Sequence, residues 1–406
     1  MSNSVPSRKN RIVFVTVTLL FWCSLYVYVP VLSPYLEHMG MSYTVMGIVL
    51  GSYGLTQIVL RLPLGIASDK MNKRKPYVVI GMLSVALSCV CFAMGERLEW
   101  ALAGRIMSGV AASTWVAFTV MFAGMYAKEQ ATRAMGMISL LTAGGQLLGM
   151  SVSGLLVEAG GYTLTFQMGA AIGLLGFALS FLLQEPQGTV ARPSMSYGDL
   201  ASVMKDRLLW KVSTLSILAH SVLFITMFGF TPSYALYLGA DKVGLTMLVL
   251  AFMVPHALVA YLSGRVIAPR FGSWQVVFVG FVVSALCTAA TSFVPGFGML
   301  IFTQALNGAV QGLHFPLLLG LSIEHIEEKK RATAMGFYQA VYAIGMFAGP
   351  FLAGGLNEWG GLKSGFYFAG VLGVAASILT WRWFLSRSAR SVGRPAAPSG
   401  GKTLGR

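Results

Sequence analysis

The chain has 406 residues, of which 56% are hydrophobic and 11% charged, with a mean hydropathy of +0.71 and a formal net charge of +15. That composition excludes a water-soluble domain, because too few charged side chains remain to cover a surface. The solvent is lipid, so the basic excess is read along a membrane topology, and no nucleic-acid partner is expected.

About 20 apolar residues cross the bilayer core as a helix. Cutting the chain at its charges and turn residues gives twelve such spans. The first, Arg11 to Leu36, is too long for a cleaved leader and no small-residue cleavage site follows it. Next come Thr44 to Ser68, with Tyr53, Gln57 and Arg61; Pro76 to Gly95; and Trp100 to Met125, with Arg105 and Trp115. Ala134 to Ala159 and Thr163 to Leu183 complete an N-terminal bundle over residues 1–183. Residues 184–207 hold Pro186, Gly188, Pro193 and Gly198 and read as a linker, with a surface helix near Asp199 to Lys211. The second bundle, 208–386, comprises Leu208 to Leu238 with His220; Val243 to Ala268 with His256; Trp274 to Val294; Gly298 to Ser322 with Gln304 and His314; Ala332 to Asn357; and Gly365 to Leu385. The polar tail, 387–406, lacks core residues and reads as disordered. All four cysteines, Cys23, Cys89, Cys91 and Cys287, fall inside spans and read as small apolar residues, not as a disulfide framework or a metal site.

Shifted by 200 residues, part of the chain repeats. Met135-Gly136, Gly145, Gly149, Gly154, Glu158 and Gly160-Gly161 fall on Met335-Gly336, Gly345, Gly349, Gly354, Glu358 and Gly360-Gly361. Both copies lie in apolar segments, which implies two parallel six-helix bundles: an all-α integral membrane protein whose seam contains these glycines and Pro350. With the N-terminus inside, 24 of the 29 Lys and Arg residues lie on the cytoplasmic side, leaving Arg97, Lys242 and Lys363 outside and Arg61 and Arg105 within the bilayer. That asymmetry places both termini in the cytoplasm and the protein in the cytoplasmic (inner) membrane.

Several motifs agree on a family. After the second span, Gly65-Ile-Ala-Ser-Asp69-Lys70-Met-Asn72-Lys73-Arg74 resembles the Gly-x-x-x-Asp-Arg/Lys-x-Gly-Arg/Lys-Arg/Lys loop of the major facilitator superfamily. The first span ends in Pro30-Val-Leu-Ser-Pro34-Tyr35-Leu36, the fourth holds Arg105-Ile-Met-Ser-Gly109, and the eleventh holds Gly345, Gly349-Pro350 and Gly354. These are similar to segments of the twelve-helix drug and metabolite efflux branch. Two departures stand out: Asn72 replaces the loop's usual Gly, and Met150 stands where the antiporter motif of the fifth span has Pro.

The resemblance implies an alternating-access transporter that is not an enzyme, has no bound cofactor, works as a monomer in the bilayer, and exports a small molecule against a proton gradient. It also implies a conformational latch of Gly65, Asp69, Lys70, Arg74 and Glu129, in which Asp69 meets the start of the eleventh span near Ala332 and Thr333, and Lys70 or Arg74 pairs near Glu129.

The residues themselves narrow the cargo. All fourteen acids lie in loops or at helix ends, so the membrane core keeps Arg61, Arg105, His220, His256 and His314 and no carboxylate. A charge there costs about 2.5 to 3.5 kcal/mol even on permissive scales and defaults to function. Arg105 suits a carboxylate or phosphate, which favours an anionic or zwitterionic cargo: a metabolite, a carboxylated chelator, a sugar-like compound or an amphipathic drug. Arg61 either reaches the cytoplasmic interface, pairs with Asp69 or meets cargo. The histidines are the candidate proton carriers, with Gln57, Gln304, Tyr53 and Trp115 as further lining residues. Trp22, Tyr26, Tyr28, Phe118, Tyr338 and Tyr342 are additional aromatic surfaces near the same spans. Uptake or uncoupled diffusion is the alternative reading, and a transporter-like membrane sensor a further one.

Overall fold

A computed structural model describes residues 8–71, 73–126, 130–185, 197–327 and 330–392. Among the described residues there are helices and turns but no strand. A backbone in lipid has to satisfy its own hydrogen bonds, and helices do so within each segment. The first crossings are α1 (Arg8–His38), α2 (Tyr43–Met71), α3 (Lys75–Ala93) and α4 (Leu98–Ala123). The next helical stretch covers Ala131–Ser180, 50 residues. At 1.5 Å per residue that is roughly 75 Å, more than twice the hydrocarbon core. It divides where Gly160 (φ −161°, ψ 23°) and Gly161 (φ 75°, ψ −176°) leave the helical region, giving α5 (131–160) and α6 (161–180).

The second half holds α7 (Arg207–Tyr237), α8 (Lys242–Phe271), α9 (Ser273–Thr291), α10 (Phe297–Ile323), α11 (Arg331–Gly360) and α12 (Leu362–Val392). Among the described residues eleven helical segments are long and apolar enough to span, and the glycine turn resolves them into twelve crossings. The repeat carries through to geometry, since Gly361 between α11 and α12 has φ 75° and ψ 173°, nearly the values of Gly161.

Several crossings are interrupted at their middles. α1 breaks ahead of Pro30, α4 breaks at Thr114, and α7 contains a π-turn at Thr226–Phe230 in which Gly229 is non-helical, just before Pro232. Proline removes a backbone donor and clashes with the preceding turn, so the breaks beside Pro30 and Pro232 follow from the sequence, whereas the one at Thr114 has no proline near it. The linker's helix is Tyr197–Val203, earlier and shorter than the Asp199 to Lys211 expectation; Asp206 caps Leu209 N at 2.6 Å, and this starts α7 at Arg207. Residues 186–196 of the linker and 393–406 of the tail lie outside the described residues.

Within the first half α1 packs on α5 and α6, α3 on α6, and α2 on α4; in the second, α7 packs on α11, α8 on α10, and α9 on α12. The halves join through α2 with α11 and α5 with α8. We call the side holding Arg8 and the loop after α2 the basic face, and the opposite side the far face.

Candidate functional site

The seam between the halves is built by glycines, but not all of those read from the repeat belong to it. A Cβ at Gly145 or Gly149 would strike Leu19, Trp22 and Cys23 of α1, and one at Gly345 or Gly349 would strike Ile217 and Ser221 of α7. These four bind helices within a bundle. Gly154 and Gly354 alone of the six reach the other half, against the Lys242 carbonyl of α8 and the Tyr43 carbonyl of α2. Small residues let helix backbones approach in lipid, where packing replaces the hydrophobic drive. Pro350 also lies on the seam, its carbonyl against Gly47. Gly47, Gly51 and Gly54 of α2 complete the contact with α11, and the repeat could not reveal them because they have no glycine counterparts. All these seats are in the far half. Toward the basic face, a Cβ at Gly65, Gly136, Gly264 or Gly320 would meet nothing within 4 Å.

At the centre of the seam, Arg105 is 2% exposed and its guanidinium carbon lies 4.6 Å from the Tyr53 ring centroid. Its Nε donates to the Leu50 carbonyl at 3.4 Å. Tyr53 of α2 faces Phe224 of α7 with rings 5.8 Å apart and 15° from parallel, and Phe224 and Tyr26 each meet Phe228 edge-on. Arg105, these four aromatics, Leu25 and Val29 enclose a cavity of about 10 Å³. That is far below the roughly 300 Å³ of a small-molecule pocket, so the cavity as it stands is too small for an organic ligand. Phe224 and Phe228 were not legible as site residues; their one sequence signal is the Gly229 and Pro232 break beside them.

About two turns nearer the basic face, Arg61 reaches across the seam. It is 5% exposed, its Nη1 donates to Tyr342 Oη of α11 at 3.0 Å, and its Nη2 donates to the Ala112 carbonyl at 3.2 Å. Tyr342 stacks on His220 of α7, with centroids 4.1 Å apart and planes at 1°. His220 Nδ1 lies 2.8 Å from the Ser216 carbonyl, an acceptor only, so Nδ1 bears the proton of the neutral ring. Ser216 Oγ also bonds Tyr338 Oη at 2.6 Å. Beside this group, Gln57 donates to the Tyr53 carbonyl at 3.4 Å and approaches Met346 Sδ of α11 at 3.7 Å.

The remaining sequence candidates lie inside single bundles. His314 stacks on Phe281 of α9 at 4.1 Å and donates from Nδ1 to Gln311 Oε1 at 3.1 Å, while Gln311 donates to Ser284 and Ser284 to Asn307, both at 3.2 Å. Gln304 donates to Thr291 at 3.3 Å. His256 stacks on Phe252, its backbone carbonyl against Gly312 of α10. Trp115 joins Phe21, Trp22 and Phe118 in an aromatic cluster of α1 and α4.

In the loop after α2, Asp69 accepts from Arg74 at 2.6 Å, and Arg74 also donates to Ser68 at 2.5 Å. Asp69 is thus held within its own loop by Arg74, and Arg61 pairs with Tyr342. Glu185, which no motif marked, accepts from the backbone N–H groups of Arg74 and Lys75 at 2.6 Å each and so caps α3. Gly65 borders a groove shared with Ser68, Tyr77 and Thr114. Glu129, the acid assigned to the latch, lies outside the described residues.

A sequence model described as Major Facilitator Superfamily matches residues 14–297 and 237–405. The chain belongs to the major facilitator superfamily. It is a multi-pass membrane transport protein and not an enzyme. It is 23% identical over 346 residues to the quinolone resistance protein NorA of Staphylococcus aureus, covering 81% of this chain and 85% of that one. To the inner membrane transport protein YajR of Escherichia coli it is 27% identical over 357 residues, covering 85% and 75%. Among solved structures, a bacterial homolog of the human lysosomal transporter Spinster, inward-facing and occupied, matches with a TM-score of 0.77 at 15% identity, covering 96% of this chain and all of that one. These structural matches carry the fold.

Proposed function

We propose that this superfamily member exports a flat aromatic anion or zwitterion from the cytoplasm across the inner membrane, in exchange for protons, by rocking its two halves about the seam. The observation that carries this reading is Arg105: a buried guanidinium lying over Tyr53, lining a seam cavity with four aromatics and no carboxylate. A guanidinium in a low-dielectric site holds a carboxylate strongly, and ring faces on both sides of the seam suit a planar body. The NorA relative is named for resistance to quinolones. Lys and Arg crowd the basic face, which supports reading that face as the cytoplasmic one. The transporter acts as a monomer, and its energy source is the proton gradient, with His220 the histidine nearest the seam.

Proteoliposomes test the coupling with 2-naphthoate as the probe. An acidic interior drives antiported cargo inward, whereas passive diffusion gathers a weak acid on the alkaline side, so the two are opposite in sign. Accumulation in the acidic lumen, absent from protein-free vesicles, is the expected result. Exchange without accumulation points to an uncoupled facilitator, and no protein-dependent flux to a sensor.

A further inference from the structure

We infer that Tyr342 couples the proton of His220 to the grip of Arg61, so that the seam loosens on acidification; this rests on the proposed transport reading only for what the motion accomplishes. Tyr342 belongs to the second half and does two things at once. Its hydroxyl accepts from Arg61 of the first half at 3.0 Å, and its ring lies flat on His220 at 4.1 Å. Beside it, Gln57 of the first half approaches Met346 Sδ of the second at 3.7 Å.

The groups facing His220 can be followed element by element. α2 contributes Arg61 through Tyr342; α11 contributes Tyr342 and, through Ser216, Tyr338; α10 contributes Phe315, 6.1 Å away and edge-on, beside His314; α7 itself contributes Ser216. None is a carboxylate. Because Nδ1 donates to the Ser216 carbonyl, a further proton enters at Nε2. The imidazolium so formed lies against the same ring whose hydroxyl holds a guanidinium. The chain of distances through Tyr342 sets the two cations within about 10 Å of each other with no counter-ion between them.

With His220 neutral, Arg61 stays on Tyr342 and the halves are tied. With His220 charged, the repulsion releases Arg61 from α11, and Arg61 falls back on the Ala112 carbonyl of its own bundle, free to meet an anion. Tyr342 is a positioning residue: it need touch no cargo.

Spin labels on Lys73→Cys and Glu324→Cys, with the native cysteines replaced, report the basic-face separation of the full-length protein in nanodiscs without any cargo. Wild type shifts toward long distances between pH 8 and pH 4, by up to about tenfold, the size expected of two like charges at this range and an intermediate dielectric. Tyr342→Phe, which keeps the stacked ring and removes the hydroxyl, shows the acid distribution at both pH values. His220→Gln shows the alkaline distribution at both. These opposite outcomes separate coupling from mere loss of packing, and thermal unfolding confirms that each variant is folded. A wild-type distribution that ignores pH, or a Tyr342→Phe protein that titrates like wild type, overturns the inference; neither bears on whether Arg105 binds an anion.

Discussion

Gly354→Val tests whether the far-half seam is a conformational contact. The added Cβ would share space with the Tyr43 carbonyl and the Gly47 backbone. Backbone atoms cannot swing aside as a side-chain tip can, so the overpacking costs about 1–3 kcal/mol. Only the far-closed conformer carries that cost, because only there does α11 lie against α2. The equilibrium between conformers therefore shifts by roughly 5- to 150-fold toward far-side opening. Gly355→Val is the internal control: it replaces the neighbouring glycine of the same helix at the same cost in helix propensity, but its Cβ meets nothing within 4 Å. Electron–electron resonance between labels at Glu96→Cys and Lys363→Cys, one on each half at the far face, reads the separation. Gly354→Val lengthens it and Gly355→Val does not. Equal behaviour of the two variants, in either direction, refutes the assignment of Gly354 to a mobile seam.

Two further outcomes concern residues away from the seam. Glu185→Ala removes the acceptor shared by the first two N–H groups near the start of α3, and thermal unfolding in detergent shows a loss of about 1–2 kcal/mol; no loss would mean that solvent replaces the cap. His314→Phe keeps the stack on Phe281 but leaves Gln311 Oε1 without its donor, costing about 1–3 kcal/mol. The pH response of the basic-face labels survives this change, and its loss would move the proton site from His220 into the second bundle.

The architecture was legible because lipid imposes two strong patterns, spans of about 20 apolar residues and basic charge on one side, and because a duplication left glycines in matching places. What sequence could not separate was two uses of the same residue type. Gly149 and Gly154 differ by little more than one turn, yet one packs on α1 of its own half and the other on α8 across the seam. Facing decides this, and facing comes from the neighbours. The histidines show the same limit: His220, His256 and His314 read alike as lone imidazoles in apolar spans, but only His220 stacks on a residue bonded across the seam. Arg105 was found by the cost of burying charge, which needs no geometry. Its partners Phe224 and Phe228 were not, because a phenylalanine in a membrane helix costs nothing and so signals nothing.

Binding of matched probes to the purified protein tests the central claim, that Arg105 holds an anionic aromatic cargo. 2-Naphthoate and the neutral 2-naphthamide share size and ring and differ in charge. An arginine–carboxylate bond in a dry site contributes about 1.5–3 kcal/mol, so Arg105→Ala weakens naphthoate roughly 10- to 150-fold and naphthamide by twofold or less. Calorimetric titration that shows the two probes weakened alike, or naphthoate unaffected, contradicts the account.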